Sequence, residues 1–421
     1  MYRYTHGHSR PPPRDHFGGR GLCRVRRLLG VWGASVPRVQ HQAGVSDGQL
    51  GFALLFVGAG ALPAMLLTGR ALDRWGLAVS AVLIAALGVA GAALALTAVD
   101  AASLCAGLAV VGATSGAADV SMNAAAGRAE KMAGRPVITR AHGVFSSLVV
   151  FGSLATGLAS AASLPLAVPF AAVGVLSLPA GAFLFRALPR HASTERSPTA
   201  DAAPFGRRET VPYLLIGVLG ALAFASENAH QSWSAVFAHE ELHSSTGLSA
   251  VAPAVFAGTV AITRFSFGGL KAGHARTVLL AGASAAAVGA ALIAAAPTLL
   301  IAGLGLAVAA AGTAVLFPTL LGVVSRNVDE SRRGRATSVV TSVSYLGFLV
   351  GPVYVGLGAD AVGLRGAMVA VAALAVGLLV LTPALLHLSG CGTRGVDVEG
   401  DAPARQTPMS PRMGDRPEAR R

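Results

Sequence analysis

Long apolar runs separated by short polar gaps dominate the chain from about residue 48 onward. At 1.5 Å per residue, about 20 apolar residues cross a hydrocarbon core of about 30 Å. Measured against that length, the runs predict spans at 48–69, 77–98, 101–127, 139–162, 164–186, 212–237, 247–270, 277–296, 298–324, 336–358 and 363–387. They carry no amphipathic rhythm, so they predict helices enclosed by lipid and by one another. Before residue 48 the pattern weakens, and only Leu28 to Val36 is continuously apolar, about half of what a crossing needs. The expectation is an all-α integral membrane protein with 11–12 transmembrane helices, the first span degenerate. The segment 1–27 is basic and rich in Pro and Gly, and Arg20, Arg24, Arg26 and Arg27 oppose insertion. "SVPRVQ" does not serve as a signal-peptide cleavage site. A misassigned start or shifted reading frame upstream of about Leu28 is expected, or else a degenerate, inactive chain.

Charge gives the runs a direction. Arg70 and Arg74, then Arg128, Lys131, Arg135 and Arg140, then Arg186 to Arg208, then Lys271 and Arg276, then Arg326 to Arg335, occupy alternate gaps. The intervening gaps hold Asp100, "SLP", Glu240 and Glu241, "APT", and Asp360 with Arg365. Lys and Arg accumulate on the cytoplasmic side of membrane proteins, which predicts cytoplasmic basic gaps and a cytoplasmic C-terminal tail, 388–421. The same distribution speaks against nucleic acid as the reason for the net charge of +13, because the basic residues punctuate spans instead of forming one patch. With 53% hydrophobic and 13% charged residues, the chain lacks the surface of a soluble enzyme.

The polar stretch 187–211 reads as a cytoplasmic linker between an N-terminal half, 28–186, and a C-terminal half, 212–387. The halves echo one another: "RAEKMAGRPVITRAHGVFSSLVVFG" and "RNVDESRRGRATSVVTSVSYLGFLVG" stand at corresponding places. Two related halves are the pattern of a secondary transporter. No nucleophile elbow, P-loop or zinc-protease motif occurs, so no enzyme activity, no ATP-driven pumping and no cofactor are expected. Cys23, Cys105 and Cys391 are far apart and the His residues form no tight pair, so no metal is expected either.

Acids inside spans default to function, since a carboxylate at helix centre costs about 2.5–3.5 kcal/mol to insert. Asp119 shares a helix face with Ser115, Met122 and Asn123, and that face must look into the bundle. It is either an interhelical hydrogen-bond cluster or a proton relay, with Gly112 and Gly116 permitting close packing. Glu227 opens the run "ENAHQSW", with His230, Gln231 and Ser234 continuing its face. An acid, an imidazole and an amide together make a substrate and proton site, or a polar lining without proton coupling. Trp233 is offset, as an interfacial anchor or a stacking platform for a ring. His142 pairs with Asp119 or sits at the interface. Asn228, Tyr345 and Tyr354 are further lining candidates, and Gly347, Gly351 and Pro352 signal packing and a hinge.

"GRALDRWG" at 69–76 resembles the signature loop between the second and third spans of the major facilitator superfamily. Gly69, Asp73, Arg74 and Gly76 match, Ala71 stands where leucine is usual, and the trailing basic residues are missing. "ADVSMNAAAGRAEKMAGRPVITRAHGVFS" and "SENAHQSWSAVF" resemble the bacterial branch with the rhizopine-related (MosC-like) and fucose-permease-like carriers. The resemblance implies two six-helix halves, a multi-pass monomer of the bacterial inner membrane, and transport of a small organic solute by alternating access. It implies a sugar-like, inositol-like or amine-bearing substrate and coupling to protons, with efflux of hydrophobic or cationic compounds as the alternative. A non-transporting sensor or an inactive remnant is a further alternative. The signature loop implies a cytoplasmic gate, in which Asp73 pairs with Arg in one carrier state. In the second half "RFSFGGLKAGHAR" takes that place without the acid, and Arg264 either snorkels to the cytoplasmic face or pairs between helices.

Overall fold

The computed structural model describes residues 27–133, 138–187, 207–266, 274–328 and 330–390. Its helices are α1 (Arg27–Ala43), α2 (Asp47–Trp75), α3 (Val79–Thr97), α4 (Ala101–Ala133), α5 (Ile138–Ala161), α6 (Ala167–Ala187), α7 (Arg207–Val236), α8 (Thr246–Ser266), α9 (Ala275–Ala294) and α10 (Leu299–Asn327). A π turn, Phe237–Glu241, extends α7. Glu330–Leu388 is broken at Gly363, whose φ of 78° suits glycine alone, into α11 (330–362) and α12 (364–388). Each of the predicted spans falls on one of α2 to α12. Among the described residues nine helices are long and apolar enough to cross a membrane, the broken Glu330–Leu388 stretch counting as one. Most of the linker reading, the N-terminal segment before Arg27 and the tail beyond Gly390 lie outside the described residues.

The weak first run is longer than its apolar part. Helix α1 continues through Pro37 to Ala43, and its polar end is satisfied by other helices. Arg38 donates to Ser160 Oγ (3.1 Å) and to the Leu164 carbonyl (2.8 Å), Gln42 to the Ala95 and Ala98 carbonyls (3.0 Å each), and Gln40 to the Asp47 carboxylate (2.7 Å). Polar groups at membrane depth persist when the bundle pairs them, which a measure of apolar length cannot register.

Small residues bring the helices together, as expected where lipid removes the hydrophobic drive between helices. A Cβ on Gly112 of α4 would collide with the Val57 backbone of α2, and one on Gly347 of α11 with the Ala221 backbone of α7. The two halves share a second device. Ser153 on α5 donates to the Gly30 carbonyl on α1 (3.1 Å), and Ser344 on α11 to the Gly217 carbonyl on α7 (3.3 Å). Gly112→Leu is expected to destabilise the protein by about 1–3 kcal/mol or more through overpacking, read as a lower unfolding temperature in detergent.

The halves meet at one end. Gly51 and Gly58 of α2 lie against Gly356 and Leu349 of α11, Gly157 of α5 against Gly247 and Ala250 of α8, and Gly33 of α1 against Pro253 of α8. Ser46 Oγ and the Gly48 backbone N–H both donate to the Asp360 carboxylate, at 3.0 and 2.9 Å. These contacts on α2 run from residue 46 to residue 58. Toward the other end nothing described lies within 4 Å of a Cβ position on Gly69, and Leu66, Leu67 and Trp75 are 73%, 62% and 60% exposed. Among the described residues the contacts named here join the halves toward the end that bears Asp360, the closed end, and none of them reaches the end that bears Gly69, the open end.

Candidate functional site

Where Gly33 approaches Pro253 and the Gln231 carbonyl the halves touch, and this contact forms a floor between them. Glu227 stands one helical turn from Gln231, on the open side of that floor. Its carboxylate accepts a hydrogen bond from Arg264 Nη2 at 3.0 Å, and Arg264 Nε reaches the Ala314 carbonyl on α10 at 3.4 Å. Arg264 therefore joins α7, α8 and α10. Of its two sequence readings, pairing between helices is the one realised; it neither snorkels nor joins the signature loop. The pairing was not visible in sequence, because the residues are 37 positions apart on different helices.

An aromatic cluster adjoins the pair. Phe224 lies three residues before Glu227, with ring centroids 4.4 Å from Phe317, 5.8 Å from Tyr345 and 6.4 Å from Phe348. Tyr345, a lining candidate from the sequence, belongs to this aromatic cluster. Phe224, Phe317 and Phe348 were not singled out, since an isolated Phe in a span reads as a lipid-facing residue.

The remaining members of "ENAHQSW" go elsewhere. Asn228 donates to the Phe348 carbonyl and its Oδ1 accepts from Ser232, so it ties α7 to α11. Trp233 is fully buried, and its Nε1 donates to the Pro352 carbonyl at 3.0 Å. It is neither an interfacial anchor nor a stacking platform, because helix packing turns it to α11, where Gly356 leaves room for the indole. His230 is also buried, beside Ser234, Phe237, Ile293, Leu306 and Met368 within the C-terminal half. Neither ring nitrogen of His230 has a hydrogen-bond partner among the described residues, so His230 does not join Glu227. Gln231 is half-buried near α1.

Asp119 and Asn123 form an i, i+4 pair on α4, with Asn123 Nδ2 donating to Asp119 at 3.2 Å. Contacts from Asn228 to Phe348, from Leu349 to Gly58 and from Val57 to Gly112 put Glu227 level with Gly112. Asp119, seven residues beyond Gly112, is then about 10 Å nearer the open end. The two acids occupy different layers. His142 lies on α5, and its side chain is outside the described residues.

The signature loop is the tight connection from α2 to α3. Gly76 ends α2 with φ of 70° and donates to the Leu72 carbonyl, a conformation that requires glycine. The Asp73 and Arg74 side chains are exposed, Arg74 lies 5.8 Å from the Trp75 ring, and no ion pair joins Asp73 to another described residue. Gly69 lies on the open face of α2.

Comparison with known proteins agrees with this architecture. The profile described as Major Facilitator Superfamily matches residues 29–304 and 271–410. An uncharacterized transporter of Sinorhizobium fredii is 28% identical over 364 residues, covering 85% of this chain and 94% of that protein. A crystallised variant of the nucleoside transporter NupG superimposes with a TM-score of 0.69 at 14% identity, covering 87% of this chain and 98% of that one. A bacterial homologue of the human lysosomal transporter Spinster, in an inward-facing and occupied conformation, gives 0.68 at 15% identity, covering 91% and 98%. At such identities the structural likeness is one of fold.

Proposed function

The chain belongs to the Major Facilitator Superfamily, and from that premise we propose that it moves a sugar-like or inositol-like solute by alternating access, coupled to protons. It is a multi-pass membrane protein and a secondary transporter of a small solute. The observation that carries the finer reading is the ion pair between Glu227 and Arg264 at the floor of the cleft. A carboxylate 14% exposed and held by a guanidinium from another helix is a charged pair inside the bundle, the usual mark of a solute or proton pathway. The substrate class rests on the resemblance of "SENAHQSWSAVF" and the stretch after Ala117 to the fucose-permease-like branch.

Arg70, Arg74, Arg128, Arg326, Arg332 and Arg333 gather at the open end, which supports a cytoplasmic opening and an inner-membrane orientation with the C-terminus inside. Asp73 then belongs to a gate that closes when the cleft opens outward. Asp73→Asn is expected to slow turnover several-fold while solute affinity stays within about twofold, because the residue lies far from the floor. Equal turnover in tracer exchange by a folded variant would remove Asp73 from the gate.

The test of the proposal is a thermal-shift panel of sugars and inositols on purified protein, followed by uptake of any stabilising solute into proteoliposomes under a proton gradient. A stabilising sugar or inositol that accumulates only with the gradient supports the reading. Accumulation indifferent to the gradient contradicts proton coupling, and stabilisation by hydrophobic cations alone contradicts the substrate class.

A further inference from the structure

The partners in the ion pair are unequally exposed, Arg264 at 36% and Glu227 at 14%. The guanidinium is thus the more accessible group. Its Nη2 is committed to Glu227 and its Nε to the Ala314 carbonyl, leaving Nη1 without a partner among the described residues. A part-exposed guanidinium edge with a free N–H group is a carboxylate receptor in shape and charge. One helical turn away on two helices lie aromatic rings: Phe224 precedes Glu227 by three residues, and Phe317 follows Ala314 by three. Tyr345 and Phe348 complete that wall.

Resting on the carrier reading above, we infer that the solute is a ring-bearing organic monocarboxylate. Its carboxylate takes Arg264, and its ring lies against Phe224, Tyr345 and Phe348. Charge balance then dictates the coupling. Paired Arg264 and Glu227 sum to zero, so an incoming carboxylate leaves one excess negative charge in an apolar bundle, which is costly. A proton taken from the aqueous cleft onto the Glu227 carboxylate removes the excess. It also frees Nη2 for the solute. One proton accompanies one anion, no covalent bond changes other than that O–H, and the cycle moves no net charge.

Other charged or titratable groups on the elements around Glu227 do not alter this balance. His230 on α7 is turned into the C-terminal half, and Arg38 on α1 is held by Ser160 and Leu164. His41 lies near the closed end of α1, Arg326 near the far end of α10, and Asp360 and Arg365 beside the closed end. Tyr345 and Tyr354 are the phenols on α11.

The experiment uses purified full-length protein in proteoliposomes and matched ring compounds that differ in the carboxylate: glucuronate against glucose, and quinate against myo-inositol. Tracer uptake is measured under a pH gradient, and separately under a potassium–valinomycin potential. The acid of at least one pair is expected to exceed its neutral partner by about tenfold or more, the scale of one good charge-assisted contact. That uptake should follow the pH gradient and ignore the potential. Arg264→Gln should abolish the preference for the acid and Arg264→Lys should restore part of it, with monodispersity on size exclusion confirming that each variant folds. Uptake of acids driven by the potential, or no uptake of either acid, overturns the inference. Gradient-driven uptake of the neutral members at equal or higher rate overturns it too, while leaving the carrier reading intact. Absence of gradient-driven uptake for all four compounds counts against both.

Discussion

Arg264→Ala is expected to lower solute uptake by about 30- to 150-fold and to destabilise the fold. Removing one member of a fully buried ion pair costs about 3–5 kcal/mol, because the other charge is left without a partner. Here the guanidinium is 36% exposed, so water screens part of the loss, and about 2–3 kcal/mol is the appropriate scale. The loss has two sources, the stranded Glu227 carboxylate and the broken link from α8 to the Ala314 carbonyl of α10. A double-mutant cycle separates them. Glu227→Gln in the Arg264→Ala background should recover thermal stability, since it removes the stranded charge, yet should not recover uptake. Additive losses in stability would show that the two residues do not act as a pair.

Asp360→Ala is expected to open the closed end. The Asp360 carboxylate, on the last turn of α11, receives the Ser46 hydroxyl and the Gly48 N–H at the start of α2, so one residue of the C-terminal half caps a helix of the N-terminal half. A cap that also favours the positive end of the helix stabilises the closed arrangement by about 1–2 kcal/mol, or a 5- to 30-fold shift in population. Gly48 fits this role, because a Cβ there would collide with the carboxylate. Nitroxides at Val99 and Val362, exposed positions of the two halves at that end, report the shift by pulsed electron resonance. Loss of Asp360 should add a longer-distance population, and Asp360→Asn, which keeps an acceptor oxygen, should add less. An unchanged distance distribution in Asp360→Ala would show that glycine packing between α2 and α11 alone holds this end shut.

The fold was readable because the bilayer sets a length. Spans of about 20 apolar residues announced α2 to α12 with ends displaced by a few residues, and the alternate placement of Arg separated the two ends of the bundle. Helix α1 was the exception, since its last turns are polar and persist only because Ser160, Leu164, Ala95 and Ala98 receive Arg38 and Gln42. The glycine signals were readable too: Gly112, Gly116, Gly347 and Gly351 all lie at close helix contacts.

The site was legible only in part. A carboxylate in a span must face the bundle, which located Glu227 and Asp119 on inward faces. Helical spacing grouped His230, Gln231 and Ser234 with Glu227 and set Trp233 apart, but α7 is packed on most of its circumference, so neighbours in sequence faced different partners. Trp233 met α11, His230 met the C-terminal core, and only Glu227 remained at the cleft. Arg264, the aromatic wall and the Asp360 cap depend on contacts between distant segments, and no local pattern encodes them.

The central claim is that Glu227 carries the proton while Arg264 holds the solute. Its most direct measurement compares Glu227→Gln with the parent in proteoliposomes, using one transported solute in two modes. In exchange, with solute on both sides and no gradient, the variant should work within about twofold of the parent, since the proton need not leave. In net uptake driven by a pH gradient, it should fail to accumulate solute. Accumulation by Glu227→Gln equal to the parent at every pH would contradict the account.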